Sequence, residues 1–206
     1  KRNINVFIEK PLGSSLKNIS KLTNLIKSKK NIKHMMGYQL KFNPIILKLK
    51  KILDKNTIGN IWHVNIHHGE NINDFHPYED YRHSYAARKD LGGGVVLCQI
   101  HELDYLLFLF EKYKIKIINS YSKKLTDLHI NVEDTFVSSI QISKRNKKAL
   151  CNIHLNFYER PKKRIIEILG EKGKISCNLN TGEIFIFKEK KIKKIEFKFD
   201  RNDVFK

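Results

Sequence analysis

Carboxylates are scarce in this chain: 21 Asp and Glu stand against 40 Lys and Arg in 206 residues, leaving a formal net charge of +19. Cysteine is scarcer still. Cys98, Cys151 and Cys177 form no C-x-x-C pair and are odd in number, which argues against a disulfide framework or a zinc knuckle and predicts three reduced thiols. No run of about 18 apolar residues occurs, so no membrane-spanning helix is expected. No apolar leader precedes the first strand pattern either, and the expected compartment is the cytosol. His63, His67 and His68 crowd one segment, yet residues 63 and 67 on an extended strand would stand about 13 Å apart, too far to share an ion, so no metal is expected. A dinucleotide fingerprint is also missing: Gly92 and Gly94 supply G-x-G, but Leu97 takes the place of the third glycine, and no strand and helix of the right kind flank it.

What is present is a globular composition, 41% hydrophobic and 10% aromatic, enough to bury a core in one or two domains. The excess of lysine raises nucleic acid as a partner. The lysines are dispersed, however, as in "LIKSKKNIK", "SKRNKK" and "FKEKKIKKIEFK", and no aromatic residues interleave with them in a repeated pattern, so no specific nucleic-acid binding is expected. "INVFIEKPLG" alternates Ile4, Val6 and Ile8 and stops at Pro11 and Gly13, reading as a strand and its end. "SSLKNISKLTNLIKSKK" offers serine caps and an apolar face of Leu16, Ile19, Leu22, Leu25 and Ile26, and "NPIILKLKKILDKNTIG" repeats the helical pattern with Pro44 at its start and Gly59 beyond its end. "NIWHVNIHHG" alternates as a strand. The segment 92–111, led by three glycines, reads as a third helix. After residue 114 come short β-rich runs, from "KIKIINSYSKK" to "IEFKF", which favour an antiparallel meander. The fold class expected is α+β, with helices packed on one face of the sheet.

Several of these stretches resemble, in order, the C-terminal part of the Gfo/Idh/MocA oxidoreductases. "VFIEKPLG" is similar to that family's EKP element, "GYQLKFNPIILKLKKILDKNTIGNI" to its helix and glycine turn, and "GGGVVLCQIHELD" to its glycine-led helix with a histidine. "NDFHPYEDYRHSYAARKDLGGG" resembles a WHPWEDYR-type segment of members acting on sugars or nucleotide sugars, and "VEDTF" and "RPKKRIIEILGEKGKI" fit the family's sheet. The resemblance implies a large open, predominantly antiparallel sheet. It also implies that residues 1–13 are the tail of a Rossmann domain and residues 14–206 a substrate-binding and oligomerisation domain, with both ends, including the closing "FDRNDVFK", expected to belong to something longer. Without the rest of a Rossmann domain, residues 1–206 by themselves are not expected to bind NAD or NADP tightly.

The chemistry implied is hydride exchange between a secondary alcohol of a sugar or nucleotide sugar and NAD or NADP. On the resemblance His101 is the general base for the hydroxyl proton and Lys10 stabilises the developing oxyanion, both acting on one carbon. Glu9, Lys10 and Pro11 border the cofactor, while His76, Asp80, Tyr81, Arg82 and Asp104 bind substrate, Arg82 suiting a carboxylate or phosphate. Cys98 stands one turn before the histidine, where many members carry an aspartate, and Lys41 stands where arginine is common. A thiol does not stabilise an imidazolium, so Asp104, Glu102 or Gln99 would have to orient His101. The alternatives are an inactive relative serving as a sugar-binding or oligomerisation module and, further off, a basic nucleic-acid binder. Association of copies through a partly apolar second sheet face is expected.

Overall fold

The computed structural model describes residues 4–29 and 31–198; residues 1–3, Lys30 and the closing stretch from Phe199, which includes "FDRNDVFK", lie outside the described residues. The chain divides into two units, Lys1–Tyr38 and Gln39–Lys206. The first unit runs on to residue 38 because a strand after the first helix pairs with the first strand. Strand β1 (Val6–Ile8) pairs in parallel with β2 (His34–Met36), and helix α1 (Ile19–Ser28) connects them. A parallel pair needs such a crossover, and "HMM" is too short to announce its strand in sequence. The expected serine caps are not used. Asn18 enters α1 in the left-handed region without a side-chain cap bond, and the apolar stripe narrows to half-buried Ile19, Leu22 and Ile26, with Leu16 and Leu25 exposed.

The second unit opens with helix α2 (Pro44–Asp54), started as read: Asn43 Oδ1 accepts from Ile45 N–H at 2.9 Å, and proline occupies the first turn. Ile45, Ile46 and Leu49 of α2 are fully buried together with Val64, Ile66, Ile153, Ile166 and Ile168. These residues alternate along their strands, so one face of the sheet carries the core. That sheet has eight strands in the order β10-β9-β8-β7-β3-β6-β5-β4. They are β3 (Ile61–Gly69), β4 (Lys114–Lys123), β5 (Thr135–Lys144), β6 (Lys147–Asn156), β7 (Lys163–Gly170), β8 (Gly173–Asn178), β9 (Glu183–Lys188) and β10 (Lys191–Glu196).

The sheet is predominantly antiparallel, but it is not one meander. β3, first of its strands in the chain, inserts between β6 and β7 and runs parallel to β6. Its alternation identified it as a strand; local pattern carries no information on where an early strand inserts among later ones. The core thiols are unbridged, and burial pushes those of Cys151 and Cys177 up to about 12. Among the described residues no helix is long and apolar enough to cross a membrane.

The opposite face of the sheet is mixed. A central row runs Ser139, Asn152, Asn65, Glu167, Ser176 and Phe185 across five strand pairings. Beside it, Val137, Leu150 and Leu169 remain 41%, 39% and 42% exposed. His63 and His67 lie on this face with Asn152 and His154, whereas His68 turns to the core face. Strand alternation thus splits the three neighbouring histidines.

Candidate functional site

The single helix expected over 92–111 is broken in two: α3 (Val95–Cys98) and α4 (His101–Leu109), with Gln99 and Ile100 between. The break has a local cause. Gln99 Nε2 donates to the Asn156 carbonyl at 3.0 Å, pinning the junction to the end of β6. The glycines ahead of α3 clear room for protein rather than for a ligand. A methyl at Gly93 would stand 2.3 Å from the Tyr85 carbonyl oxygen, and one at Gly94, whose φ is 107°, would stand 2.3 Å from Glu133 Oε1. Glu133 serves the start of α3: its carbonyl accepts from Val95 N–H at 3.1 Å and its carboxylate from Val96 N–H at 3.2 Å. Gly93→Ala, meeting fixed backbone, is expected to destabilise the fold by about 1–3 kcal/mol; an unchanged urea midpoint would contradict the close packing.

α4 carries His101, Glu102 and Asp104 in its first turn, and they serve different ends. His101 is 7% exposed. Asp104, three residues on and on the same side of the helix, is half-buried; burial pushes its carboxyl up, against the opposing pull of the Lys41 ammonium. Glu102 is fully buried against the sheet. Its Oε1 accepts from Arg164 Nε at 2.7 Å and lies 3.0 Å from His68 Nδ1. Beyond it, His68 Nε2 lies 3.6 Å from Glu70 Oε2, and Glu70 Oε1 accepts from Lys162 Nζ at 2.7 Å. Burial acts to raise the Glu102 carboxyl, yet Arg164 and His68 outweigh it and hold the group down at about 2.

Of the residues expected to orient His101, Glu102 uses its Oε1 on Arg164 and His68, and Gln99 uses its Nε2 on the end of β6. Cys98 is buried in the neighbourhood of Tyr85, whose phenol is pushed up to about 12 by burial first and by Cys98 second. Asp104 stands on the histidine's own side of α4.

The segment 76–82 forms a polar loop. Asp80 accepts from Arg82 Nε at 2.9 and 2.8 Å and from Arg82 Nη2 at 2.5 Å, which holds its carboxyl down at about 2. The fork of Arg82 is therefore turned to its own loop. Tyr81 Oη accepts from His129 N–H at 3.2 Å, and His76 Nδ1 lies 2.9 Å from Tyr78 Oη. Arg82 also borders a cleft of about 640 Å³ with Arg88, Lys124, Asp127 and His129. Below it, Asp134 anchors the 125–126 turn: burial opposes its charge, but bonds from Thr126 Oγ1 at 2.6 Å, the N–H groups of Leu125 and Thr126 and Thr135 Oγ1 prevail and lower its carboxyl. Arg164, Glu70 and Glu133 carry no local motif, and His68 stands out in sequence only as one of three crowded histidines. An acid and an arginine 62 positions apart carry no local signal of pairing.

In the first unit, Glu9, Lys10 and Pro11 follow β1 directly, and the Lys10–Pro11 peptide is cis. The Glu9 carboxylate packs on Gly37, where a methyl would stand 2.7 Å from Oε2. Among the described residues no three His, Cys, Asp or Glu side chains are grouped to hold a metal ion.

The family model for the GFO/IDH/MocA C-terminal domain matches residues 46–176, more than half of the chain. The chain belongs to the Gfo/Idh/MocA family. No protein of curated function matches it in sequence. Among solved structures it is similar to a putative oxidoreductase from Thermotoga maritima, at 17% identity and a TM-score of 0.75 over 94% of this chain and 57% of that one. An inositol dehydrogenase homolog from Azotobacter vinelandii, complexed with NAD+, gives 13% identity and a TM-score of 0.79 over 93% of this chain and 50% of that one. A levoglucosan dehydrogenase in complex with NADH gives 18% and 0.74, over 94% and 54%. Identities this low establish a shared fold. This Gfo/Idh/MocA chain spans about half the length of the proteins it matches.

Proposed function

We propose that this chain forms the substrate side of a nicotinamide-dependent oxidoreductase that interconverts a secondary alcohol of a sugar, a nucleotide sugar or a related polyol with its ketone. The observation that carries the reading is the placement of His101, a nearly buried imidazole in the first turn of α4 with Asp104 one turn on and Lys41 beside that acid. Oxidation of a secondary alcohol removes a hydride from carbon and a proton from oxygen. His101 takes the proton at an imidazole nitrogen, Asp104 and Lys41 fix substrate hydroxyls, and Lys10 stabilises charge on the alkoxide oxygen. His76, Asp80, Tyr81 and Arg82 are proposed to contact the remainder of the substrate. The Asp80–Arg82 pair presents both a donor and an acceptor to neighbouring hydroxyls.

The glycine-led turn does not fit a dinucleotide. Glu133 and the Tyr85 carbonyl fill the space beside it, and the carboxylate repels a pyrophosphate. Residues Glu9, Lys10 and Pro11 are the proposed contribution of this chain to binding NAD or NADP, in keeping with a reading of the first unit as the end of a Rossmann domain. When bound, the nicotinamide supplies the acceptor or donor of hydride. The nucleotide-complexed dehydrogenases of the same fold support that choice of cofactor.

A second reading, a sugar-binding or oligomerisation module without turnover, is favoured by one observation: Cys98 near Tyr85 puts no carboxylate one turn before His101. Lys10→Ala separates the readings. In an enzyme the unsubstituted protein turns over and Lys10→Ala lowers that rate by at least about tenfold with substrate binding retained; in a binding module neither form yields reduced nicotinamide, and substrate binding is the same in both.

Two copies are proposed to associate through the mixed sheet face, where Val137, Leu150 and Leu169 would leave water. Light scattering at high protein concentration is expected to give a dimer or a larger closed assembly, and Leu150→Lys with Leu169→Lys to shift it towards monomer. A monomer before substitution would contradict this part of the reading.

A further inference from the structure

The sheet ends at β10, and its edge is charged in an unusual way. Among the described residues β10 pairs with β9 alone, so its outer edge offers backbone N–H and C=O groups without a strand partner. Between β10 and α2 lies a groove of about 780 Å³. Lys48 and Lys51 of α2 and Lys55, its C-cap residue, line it from one side, spaced three and four residues apart, and Lys188, Lys191 and Lys193 line it from the β9–β10 hairpin. None of these six lysines ion-pairs with a carboxylate of the described residues, whereas neighbouring Lys194 is held by Glu183 and Glu196, and Lys174 by Glu167. Glu189 is the one acidic residue of the lining. The floor is apolar: Ile52 and Ile186 are buried, and Ile195, on the same face of β10 as Lys191 and Lys193, is half-buried.

We infer that this groove binds an extended acidic peptide segment of another protein, added as a strand to the edge of β10. The segment's backbone completes the open edge. Its carboxylates sit between the two rows of lysines, and its apolar side chains, on alternation, cover the isoleucine floor. Lysines on an edge strand also discourage sheet-to-sheet aggregation, but that role needs none on a helix across a groove, and Lys48 and Lys51 stand on α2 with Lys55 at its end. Two facing rows of ammonium groups repel one another until a counter-charge enters. A nucleic acid would supply the charge, yet it has no use for an isoleucine floor or a free strand edge, and no aromatic residue lines the groove for a base to stack on.

Fluorescence anisotropy on the full-length protein tests this with a labelled peptide of alternating glutamate and valine. Lys51→Glu with Lys193→Glu is expected to weaken binding by about tenfold or more. Lys144→Glu with Lys148→Glu, the same change of net charge at the β5–β6 hairpin across the sheet, is expected to weaken it far less. All four positions are exposed, so the fold tolerates both changes. A peptide with proline at its centre, which lacks the N–H that strand pairing needs, is expected to lose binding. Equal losses in the two double variants, undiminished binding of the proline peptide, or tighter binding of an oligouridylate of equal charge would each overturn the assignment.

Discussion

His101→Ala in the full-length protein is expected to lower turnover by about two to four orders of magnitude, the range that a positioned general base contributes. The loss follows from the geometry of α4. His101 is nearly buried, and no other imidazole shares the first turn of that helix. Bulk water reaches a 7% exposed position poorly as a substitute base. Substrate affinity is expected to change little, because Asp104 and the 76–82 loop remain. Added imidazole is expected to restore part of the rate, a response that a merely structural histidine would not give. Unchanged turnover would remove His101 from the role of base.

Arg164→Met is expected to destabilise the fold by about 3 kcal/mol, since it removes the guanidinium that holds the fully buried Glu102 carboxylate and leaves the imidazole of His68 beside it. Glu102→Leu combined with Arg164→Met is expected to recover most of that loss, because two apolar side chains need no counter-charge. Urea denaturation reads both. The pH dependence has a definite sign. The Glu102 carboxyl is lower in the folded state than in the unfolded chain, so its contribution is fully present above the ordinary value of 4.5 and is lost as pH falls towards about 2. In the double variant that part of the acid sensitivity disappears. A double variant no more stable than Arg164→Met alone would show that packing, not charge, fixes α4 on β7.

Local physics made most of the elements readable in advance. Alternation identified β3 and the strands after residue 114, and the Asn43–Pro44 start of α2 was written in two adjacent residues. Where an outcome depended on distant partners, the sequence was silent. The insertion of β3 between β6 and β7, the parallel pairing of β1 with a three-residue β2, and the Arg164–Glu102 bond all join segments whose own patterns are complete without one another. The candidate site shows the same division. His101 stood out by its glycine-led approach, but the reason for the glycines did not: they admit Glu133 and the Tyr85 carbonyl, and Glu133 lies some forty positions further along the chain. Glu102 looked like a helper of the histidine from its adjacency; on a helix, neighbours in sequence point in different directions, and this one points to the sheet.

On the proposed function this Gfo/Idh/MocA chain handles the proton while a nicotinamide handles the hydride. The most direct measurement is formation of reduced nicotinamide by the full-length protein, offered NAD or NADP with a panel of sugars, nucleotide sugars and cyclic polyols. At least one secondary alcohol is expected to yield ketone and reduced nicotinamide in equal amounts, over many turnovers, at a rate that collapses with His101→Ala. Binding of both cofactor and sugar with no reduced nicotinamide from any member of the panel would contradict it.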